Sequence, residues 1–237
     1  MKKTAFLSIG FLALVAFAAF AIFPVNQIAA NQPSINWAEV QDAKLSPQEA
    51  AGAYNFDKAH SSIGFRVKHM GLAEIPGYFG DFTGSINYDA ADVTKSSVEF
   101  TAKATSINTA VARRDDHLRS ADFFEVEKYP DITFKSTKIE KRGANNFVAT
   151  GDFTMKGVTK QIQLPVTFNG LLKDQRGGIK MGFSIETTIN RRDYGVNYGS
   201  NLPNGTPVLS DDVKINIQVE AAKAAPKPAV TPAAATK

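Results

Sequence analysis

Val213-Lys214-Ile215-Asn216-Ile217-Gln218-Val219-Glu220 alternates strictly between β-branched apolar side chains and polar ones. Successive side chains of a strand point to opposite faces, so this run predicts a strand with one buried and one exposed face. Seven earlier runs show the same alternation, at residues 63–69, 78–88, 98–104, 132–134, 147–154, 161–168 and 179–190. The chain is therefore predicted to be an all-β protein with eight strands.

Eight antiparallel strands, each with one apolar face, are typical of a barrel or a sandwich. An eight-stranded barrel encloses room for side chains or for one small ligand. Glycines within strands mark a bend, a bulge or a close approach by another group, and four occur here: Gly64, Gly80, Gly84 and Gly151. Residues 110–124 break the alternation and predict one short helix between the third and fourth strands.

The orientation of the apolar faces is a separate question, because a membrane barrel turns them outward. The polar faces here mix Lys, Glu and Asp with many Thr, as on an ordinary solvated surface. Gly80 and Gly84 lie on an apolar face, which favours a shaped interior over a lipid-facing band. The apolar faces are therefore expected to point inward.

Charge and cysteine content exclude several function classes. The 237 residues include 27 basic and 23 acidic side chains, and no cysteine. Two lysines lie in residues 1–30 and three in 223–237, with no acid in either segment, which leaves 22 basic and 23 acidic residues between them. No nucleic-acid partner is expected of such a near-neutral domain. Disulfides, thiol nucleophiles and thiolate metal sites are excluded.

The two ends of the chain differ from the alternating part. Residues 1–30 begin with Lys2-Lys3 and continue as an apolar run, which predicts a signal peptide or an uncleaved signal anchor. The protein is therefore expected to be exported to the periplasm or cell envelope, and a retained anchor would tether it to the membrane. Residues 223–237 contain only Ala, Pro, Lys, Thr and Val and are predicted to be a disordered tail.

Residues 31–53 are predicted to be a linker with one helical turn. Within it, Ser46-Pro47-Gln48-Glu49 is a capping box with proline at the first helical position. The barrel domain is accordingly assigned to residues 54–222.

The polar residues give little indication of a metal site or of a catalytic site. The three histidines, His60, His69 and His117, lack the spacing of a metal site, and His60-Ser61 lacks the Gly-x-Ser-x-Gly context of a nucleophile. No catalytic residue, metal or cofactor is predicted. Arg191-Arg192-Asp193-Tyr194 and the arginines at 113, 114 and 119 are either solvated ion pairs or a cationic rim for a phosphate or carboxylate head group.

The apolar faces allow two interpretations, which the pattern alone does not separate. The phenylalanines either pack into a closed core or line a cavity for a long apolar ligand.

Several motifs resemble the YceI-like family. The most specific is Arg114-Asp115-Asp116-His117-Leu118-Arg119-Ser120-Ala121-Asp122-Phe123-Phe124, followed by Tyr129-Pro130-Asp131-Ile132-Thr133-Phe134. The stretches at 57–69, 151–160 and 191–195 match in order and spacing. Together they cover about residues 54–220.

The resemblance implies a lipocalin-like eight-stranded barrel that holds a polyisoprenoid or similar amphiphile and has no enzyme activity. Carried over to this chain, the inward aromatic and aliphatic side chains would line the cavity: Phe65, Val67, Phe82, Phe100, Phe134, Phe153, Phe168, Phe183 and Ile185. A helix at 110–124 would cover or flank the mouth. The head-group rim is expected to comprise Arg113, Arg114, His117 and Arg191.

The expected function is therefore non-enzymatic binding or transport of a polyisoprenoid, an isoprenoid quinone or a fatty amide. Two alternatives remain open: an envelope interaction module with a closed core, and a His-based hydrolase or metal site. The oligomeric state is not determined by the sequence, which is compatible with a dimer.

Overall fold

A computed structural model describes residues 45–225. The predicted signal segment 1–30, most of the predicted linker 31–53 and most of the predicted tail 223–237 lie outside the described residues. The helices are α1 (Pro47–Ala50) and α2 (Ala112–Arg119). The eleven strands of the described part are β1 (Gly52–Phe56), β2 (Ser62–His69), β3 (Ala73–Phe79), β4 (Phe82–Tyr88), β5 (Ser97–Lys103), β6 (Ile107–Asn108), β7 (Asp131–Lys141), β8 (Asn146–Met155), β9 (Val158–Lys173), β10 (Ile179–Asn190) and β11 (Leu209–Lys223).

These strands form a closed antiparallel barrel with eight strand positions. The order around the ring is β1-β4-β5-β7-β8-β9-β10-β11, and β11 pairs with β1 to close it. Three positions are interrupted strands. β1 and β2 share one position, because both pair with β11. β3 and β4 share the next position, because β3 pairs with β2 and β4 pairs with β1. β5 and β6 share the third, and β6 pairs with β3. The predicted eight-stranded antiparallel barrel is confirmed.

Among the interrupted segments that the predicted runs missed entirely or for the most part, β1 and β3 are the longest. β1 begins at Gly52, so its first two residues lie within the stretch predicted as linker, and β3 begins at Ala73, five residues before the predicted run. Both are short, and β3 contains Pro76-Gly77, which conceals a strand pattern. Their positions come from pairing with β11 and β2.

α1 begins with the predicted capping box. The Ser46 hydroxyl accepts a hydrogen bond from the Glu49 amide at 3.2 Å, and the Glu49 carboxylate accepts one from the Ser46 amide at 3.0 Å. The Glu49 carboxylate also accepts from the Ser46 hydroxyl at 2.9 Å, and the bonds from the Ser46 amide and hydroxyl hold the pKa of Glu49 below its usual value. The Tyr54 hydroxyl donates to the Ala50 carbonyl at 2.5 Å and so joins this turn to β1.

α2 is shorter than the predicted helix at 110–124. It ends because Ser120 has extended backbone angles and its hydroxyl donates to the His117 carbonyl at 2.8 Å. The amides of Phe123 and Glu125 then both donate to the Ser120 carbonyl, so the chain continues as turns. The helix lies between the third and fourth strand positions, as expected.

Two of the strand glycines have the predicted role of permitting close approach. A Cβ atom on Gly84 would lie 2.4 Å from the Phe56 ring, and one on Gly151 would lie 2.3 Å from the Lys135 carbonyl oxygen and 2.7 Å from the Phe134 ring. Both strands therefore pass closer to a neighbour than any side chain would allow.

The apolar faces point into the barrel, as predicted. The outer face carries ion pairs between neighbouring strands, such as Lys135 with Glu99 at 2.8 Å and Lys103 with Asp131 at 2.7 Å. Among residues 45–225, no helix combines the length and the apolar character needed to cross a membrane.

Candidate functional site

The barrel encloses a cavity of about 590 Å³. This volume lies within the range of pockets that hold small molecules, about 300–1,000 Å³. Inward-facing side chains of the strands line it, and most are aliphatic or aromatic. Of the described residues, no Asp, Glu or Lys borders it. The interior is therefore not a closed core.

Most of the predicted lining residues border this cavity, because the alternation identified the inward face correctly. They are Phe65, Val67, Phe100, Phe134, Phe153, Phe168, Phe183 and Ile185. Phe168 and Phe183 are only half-buried although they lie inside the barrel, with ring centroids 5.4 Å apart. Rings inside a barrel stay partly exposed in this way where the side chains do not fill the interior.

Phe82 is the exception, and its assignment to the cavity lining was wrong. It is 4% exposed and packs with Ile63 and Ala102 in a small core cluster. Phe56, Phe79 and Phe100 pack against this cluster and border the cavity, whereas Phe82 does not. Alternation predicts the face of a residue but not whether its neighbours cover it.

Additional aromatic side chains border the cavity and were not predicted as lining residues. Phe79 and Phe124 meet edge to face at 5.8 Å, and Phe123 lies against Tyr198 at 4.7 Å. Phe123 and Phe124 belong to the Asp-Phe-Phe motif, which was the signal available for them. Tyr198 lies in an irregular segment, where no periodicity could identify it.

The four predicted rim residues have different surroundings. Arg113 is exposed and does not border the cavity, whereas Arg114, His117 and Arg191 do. The His117 ring lies edge to face with Phe123 and Tyr198, and its Nε2 is 2.8 Å from the Asp122 carboxylate.

Arg191 is a buried structural residue, in contrast to the predicted head-group role. Its side chain is 5% exposed. The guanidinium donates to the carbonyls of Ser210, Val196 and Tyr198 at 2.7–2.9 Å and to the Asp211 carboxylate at 3.0 Å. Burial lowers the pKa of this guanidinium. Its donors hold the irregular segment 195–208 against the start of β11, so few remain for a ligand.

Arg114 has a different arrangement at the cavity border. Its Nε donates to the Thr109 hydroxyl and its Nη2 to the Thr109 carbonyl, both at 2.7 Å. The Thr109 hydroxyl in turn donates to the buried Asp115 carboxylate at 2.5 Å. Arg114 is thereby held in one orientation beside the cavity.

Comparison with known families agrees with this geometry. A model of the YceI-like domain matches residues 54–221. The chain belongs to the YceI-like family. A UPF0312 protein of Pseudomonas putida is 37% identical over 178 residues, covering 74% of this chain and 89% of that protein.

Several solved structures are similar to this chain in fold. A Campylobacter jejuni YCEI protein is 36% identical, with a TM-score of 0.59 over 71% of this chain and 96% of that one. Burkholderia cenocepacia BcnA is 25% identical, with a TM-score of 0.60 over 70% and 98%. A polyisoprenoid binding domain from Saccharophagus degradans is 14% identical and resembles this chain in fold, with a TM-score of 0.57 over 73% and 99%.

The most specific YceI-like stretch, residues 114–124, supplies one wall of the cavity. Five of its side chains border the cavity: Arg114, His117, Leu118, Phe123 and Phe124. The buried Asp115 lies behind them and accepts bonds from the Thr109 amide and hydroxyl. The motif thus places both apolar and cationic groups beside the interior.

The histidines do not converge on one site. His69 and His117 border the cavity, whereas His60 lies beside β11. The Ser61 hydroxyl donates to the Glu220 carbonyl at 3.1 Å and accepts from the Glu220 amide at 3.0 Å, so its bonds are to backbone. This arrangement gives Ser61 no activating base.

One group of potential metal ligands was missed by sequence reasoning, because Glu220 is distant along the chain. Ligand atoms of Asp57, His60 and Glu220 lie within 4.8 Å of one another. The Lys180 ammonium is 2.5 Å from the Glu220 carboxylate and 3.9 Å from that of Asp57. The bond from His60 is the main reason that the pKa of Asp57 is lowered. A metal ion would have to displace Lys180, so the group is better described as an ion-pair network.

Proposed function

We propose that this YceI-like protein is a non-enzymatic carrier of a long apolar amphiphile, held in the barrel cavity. The candidate ligands are a polyisoprenoid, an isoprenoid quinone and a fatty amide. The observation that carries the proposal is the unfilled 590 Å³ cavity with its apolar lining. Burial of apolar ligand surface is worth about 25 cal/mol per Å², so a long chain needs few polar contacts.

The proposal includes export to the periplasm or cell envelope. It is supported by the lysine-led apolar run in residues 1–30. Fractionation of the native cells, with the intact mass of the recovered protein, tests this part. A mass that lacks about 30 residues supports a cleaved signal, a full-length mass in the membrane fraction supports an anchor, and recovery from the cytoplasm contradicts export.

The first experiment on the ligand is native mass spectrometry of protein purified from its own envelope, followed by organic extraction. A stoichiometric isoprenoid or fatty species would support the carrier role and identify the ligand class. A folded protein that is empty and binds no apolar probe after purification would contradict it.

A matched pair of variants locates the binding site. Thr187 borders the cavity, and its neighbour Thr188 on β10 is exposed on the outer face. Thr187→Phe adds a ring to the interior and is expected to weaken binding about tenfold or more, because the cavity must give up ligand volume. Thr188→Phe adds the same ring outside and is expected to leave the affinity unchanged. Equal affinities in the two folded variants would contradict binding inside the barrel.

A further inference from the structure

We infer that the cavity selects amphiphiles with an anionic head group, phosphate or carboxylate, and that Arg114 binds this group. The inference rests on the proposed carrier function and adds the class of head group to it: among the candidate ligands it favours a polyisoprenoid that carries a phosphate over a quinone or a fatty amide, whose head groups are uncharged. It requires a cation beside the cavity that has free donors, a fixed orientation and no carboxylate in direct contact, and the described residues meet each requirement.

The Arg114 guanidinium retains donors for a ligand. Its Nε and Nη2 donate to Thr109, and its Nη1 has no hydrogen-bond partner among residues 45–225. No carboxylate in the described part of the chain lies within ion-pair distance of it. A partly buried guanidinium without a direct counterion attracts an anion strongly, because its own charge is incompletely compensated.

Thr109 fixes the orientation of this guanidinium. Its hydroxyl accepts from Arg114 Nε and donates to the Asp115 carboxylate, and both Thr109 and Asp115 are more than nine-tenths buried. Asp115 thus positions Arg114 through the hydroxyl without touching it. The free Nη1 side is held in place before the ligand arrives, which lowers the entropic cost of binding.

The remaining charged groups at the cavity do not compete for this role. Most of the Arg191 donors are engaged by backbone carbonyls and Asp211, and His117 is paired with Asp122. Arg113 points away from the cavity border. No Asp or Glu of the described chain borders the cavity, so an anion there would contact no carboxylate directly.

Two pairs of probes with matched tails test the inference on delipidated full-length protein. Hexadecanoate is compared with hexadecanamide, and farnesyl monophosphate with farnesol, by isothermal titration calorimetry. Each anionic probe is expected to bind about tenfold or more tightly than its neutral partner, since hydrogen bonds to a charged group are the stronger kind. The two pairs also separate a carboxylate ligand from a phosphate one.

Arg114→Gln is expected to bring the anionic-to-neutral affinity ratio close to one while leaving the neutral probes bound. Arg113→Gln is the matched control, because it makes the same charge change one residue away and should keep the wild-type ratio. A ratio near one in the wild type, or an unchanged ratio in Arg114→Gln, would overturn the inference. If the folded wild type bound none of the four probes, the carrier function itself would fail instead.

A spectroscopic measurement covers the case in which Arg114→Gln does not fold. The Nε–H resonance of Arg114 in the wild type, assigned by its absence from the Arg114→Lys spectrum, should shift on addition of hexadecanoate and remain in place with hexadecanamide. An unmoved resonance at saturating hexadecanoate would contradict direct binding by Arg114.

Discussion

Two arginines at the cavity border have opposite roles because their guanidinium groups meet different partners. Arg191 is surrounded by backbone carbonyls and Asp211, which engage its donors and fix the segment that follows β10. Among residues 45–225, the Arg114 side chain bonds only to Thr109, and it keeps donors beside the cavity. At the scale of the residue, the local partners therefore distinguish a cation whose donors are used by the fold from one that keeps donors for a ligand.

Arg191→Lys is expected to lower the free energy of unfolding by about 2–4 kcal/mol, because an ammonium cannot reach the three carbonyls and Asp211 together. Arg192→Lys is the control. The Arg192 side chain is 42% exposed in its pair with Asp211, so its loss should cost less than about 1 kcal/mol. Urea denaturation of both variants measures the difference, and equal small losses would contradict the structural role of Arg191.

The buried hydroxyl of Tyr54 is expected to make the free energy of unfolding depend on pH. Burial raises the pKa of its hydroxyl to about 12, against about 10 in an unfolded chain. As pH rises, the unfolded state loses this proton first, so the free energy of unfolding falls between about pH 10 and pH 12 and is unaffected by Tyr54 below that window. Tyr54→Phe should show a smaller fall over the same window. Parallel pH profiles for the two proteins, measured by denaturant unfolding, would contradict this prediction.

At the scale of the element, the interrupted strands depend on glycines that let aromatic rings approach the backbone. Gly84 on β4 lies beneath the Phe56 ring of β1, and the two strands pair from Gly52 with Tyr88 to Asn55 with Ser85. β1 is only five residues long, so this contact is a large part of what holds it in the ring.

Gly84→Ala is expected to destabilise the protein by about 1–3 kcal/mol, because the added Cβ would lie 2.4 Å from the Phe56 ring. Gly143→Ala serves as the control, since its nearest neighbour would be at 3.6 Å, and its effect should stay within about 0.5 kcal/mol. Thermal unfolding of both variants tests the comparison. Phe56→Leu should recover part of the loss in Gly84→Ala, and failure to do so would indicate that the ring is not the obstacle.

At the scale of the whole molecule, the barrel is closed by contacts between the two ends of the domain. Tyr54, Asn55 and Phe56 pair with Lys223, Ala222 and Ala221, and both Tyr54 and Ala221 are fully buried. Closure satisfies the hydrogen bonds of both edge strands and completes the wall around the cavity.

Truncation tests the closure. A chain that ends after Glu220 loses the three β11 residues paired with β1 and is expected to unfold at a clearly lower temperature and to release its ligand. A chain that ends after Ala225 keeps this pairing and is expected to match the full-length protein. Calorimetric melting curves and ligand retention distinguish them, and identical behaviour of the two chains would contradict the role assigned to this closure.

Much of the fold was predictable from the sequence because a strand has a period of two. The alternation around Ile215 and Phe183 identified the strands and their inward faces, and therefore most of the cavity lining. The capping box at Ser46 was also predictable, because it depends on residues three apart. The YceI-like motif at 114–124 drew attention to Arg114 and His117, and both border the cavity.

Features that depend on long-range packing could be read only from the folded chain. Alternation reports the face of a side chain, but the volume enclosed depends on how eight strand positions close, so an unfilled cavity and the covered position of Phe82 followed from the fold. The same holds for Arg191, since two of its three carbonyl partners, Val196 and Tyr198, are in irregular backbone. It holds also for Asp57 and His60, which meet Glu220 only where β11 passes beside them. Sequence periodicity is a local property, whereas burial, cavity volume and ion pairing depend on contacts between distant parts of the chain.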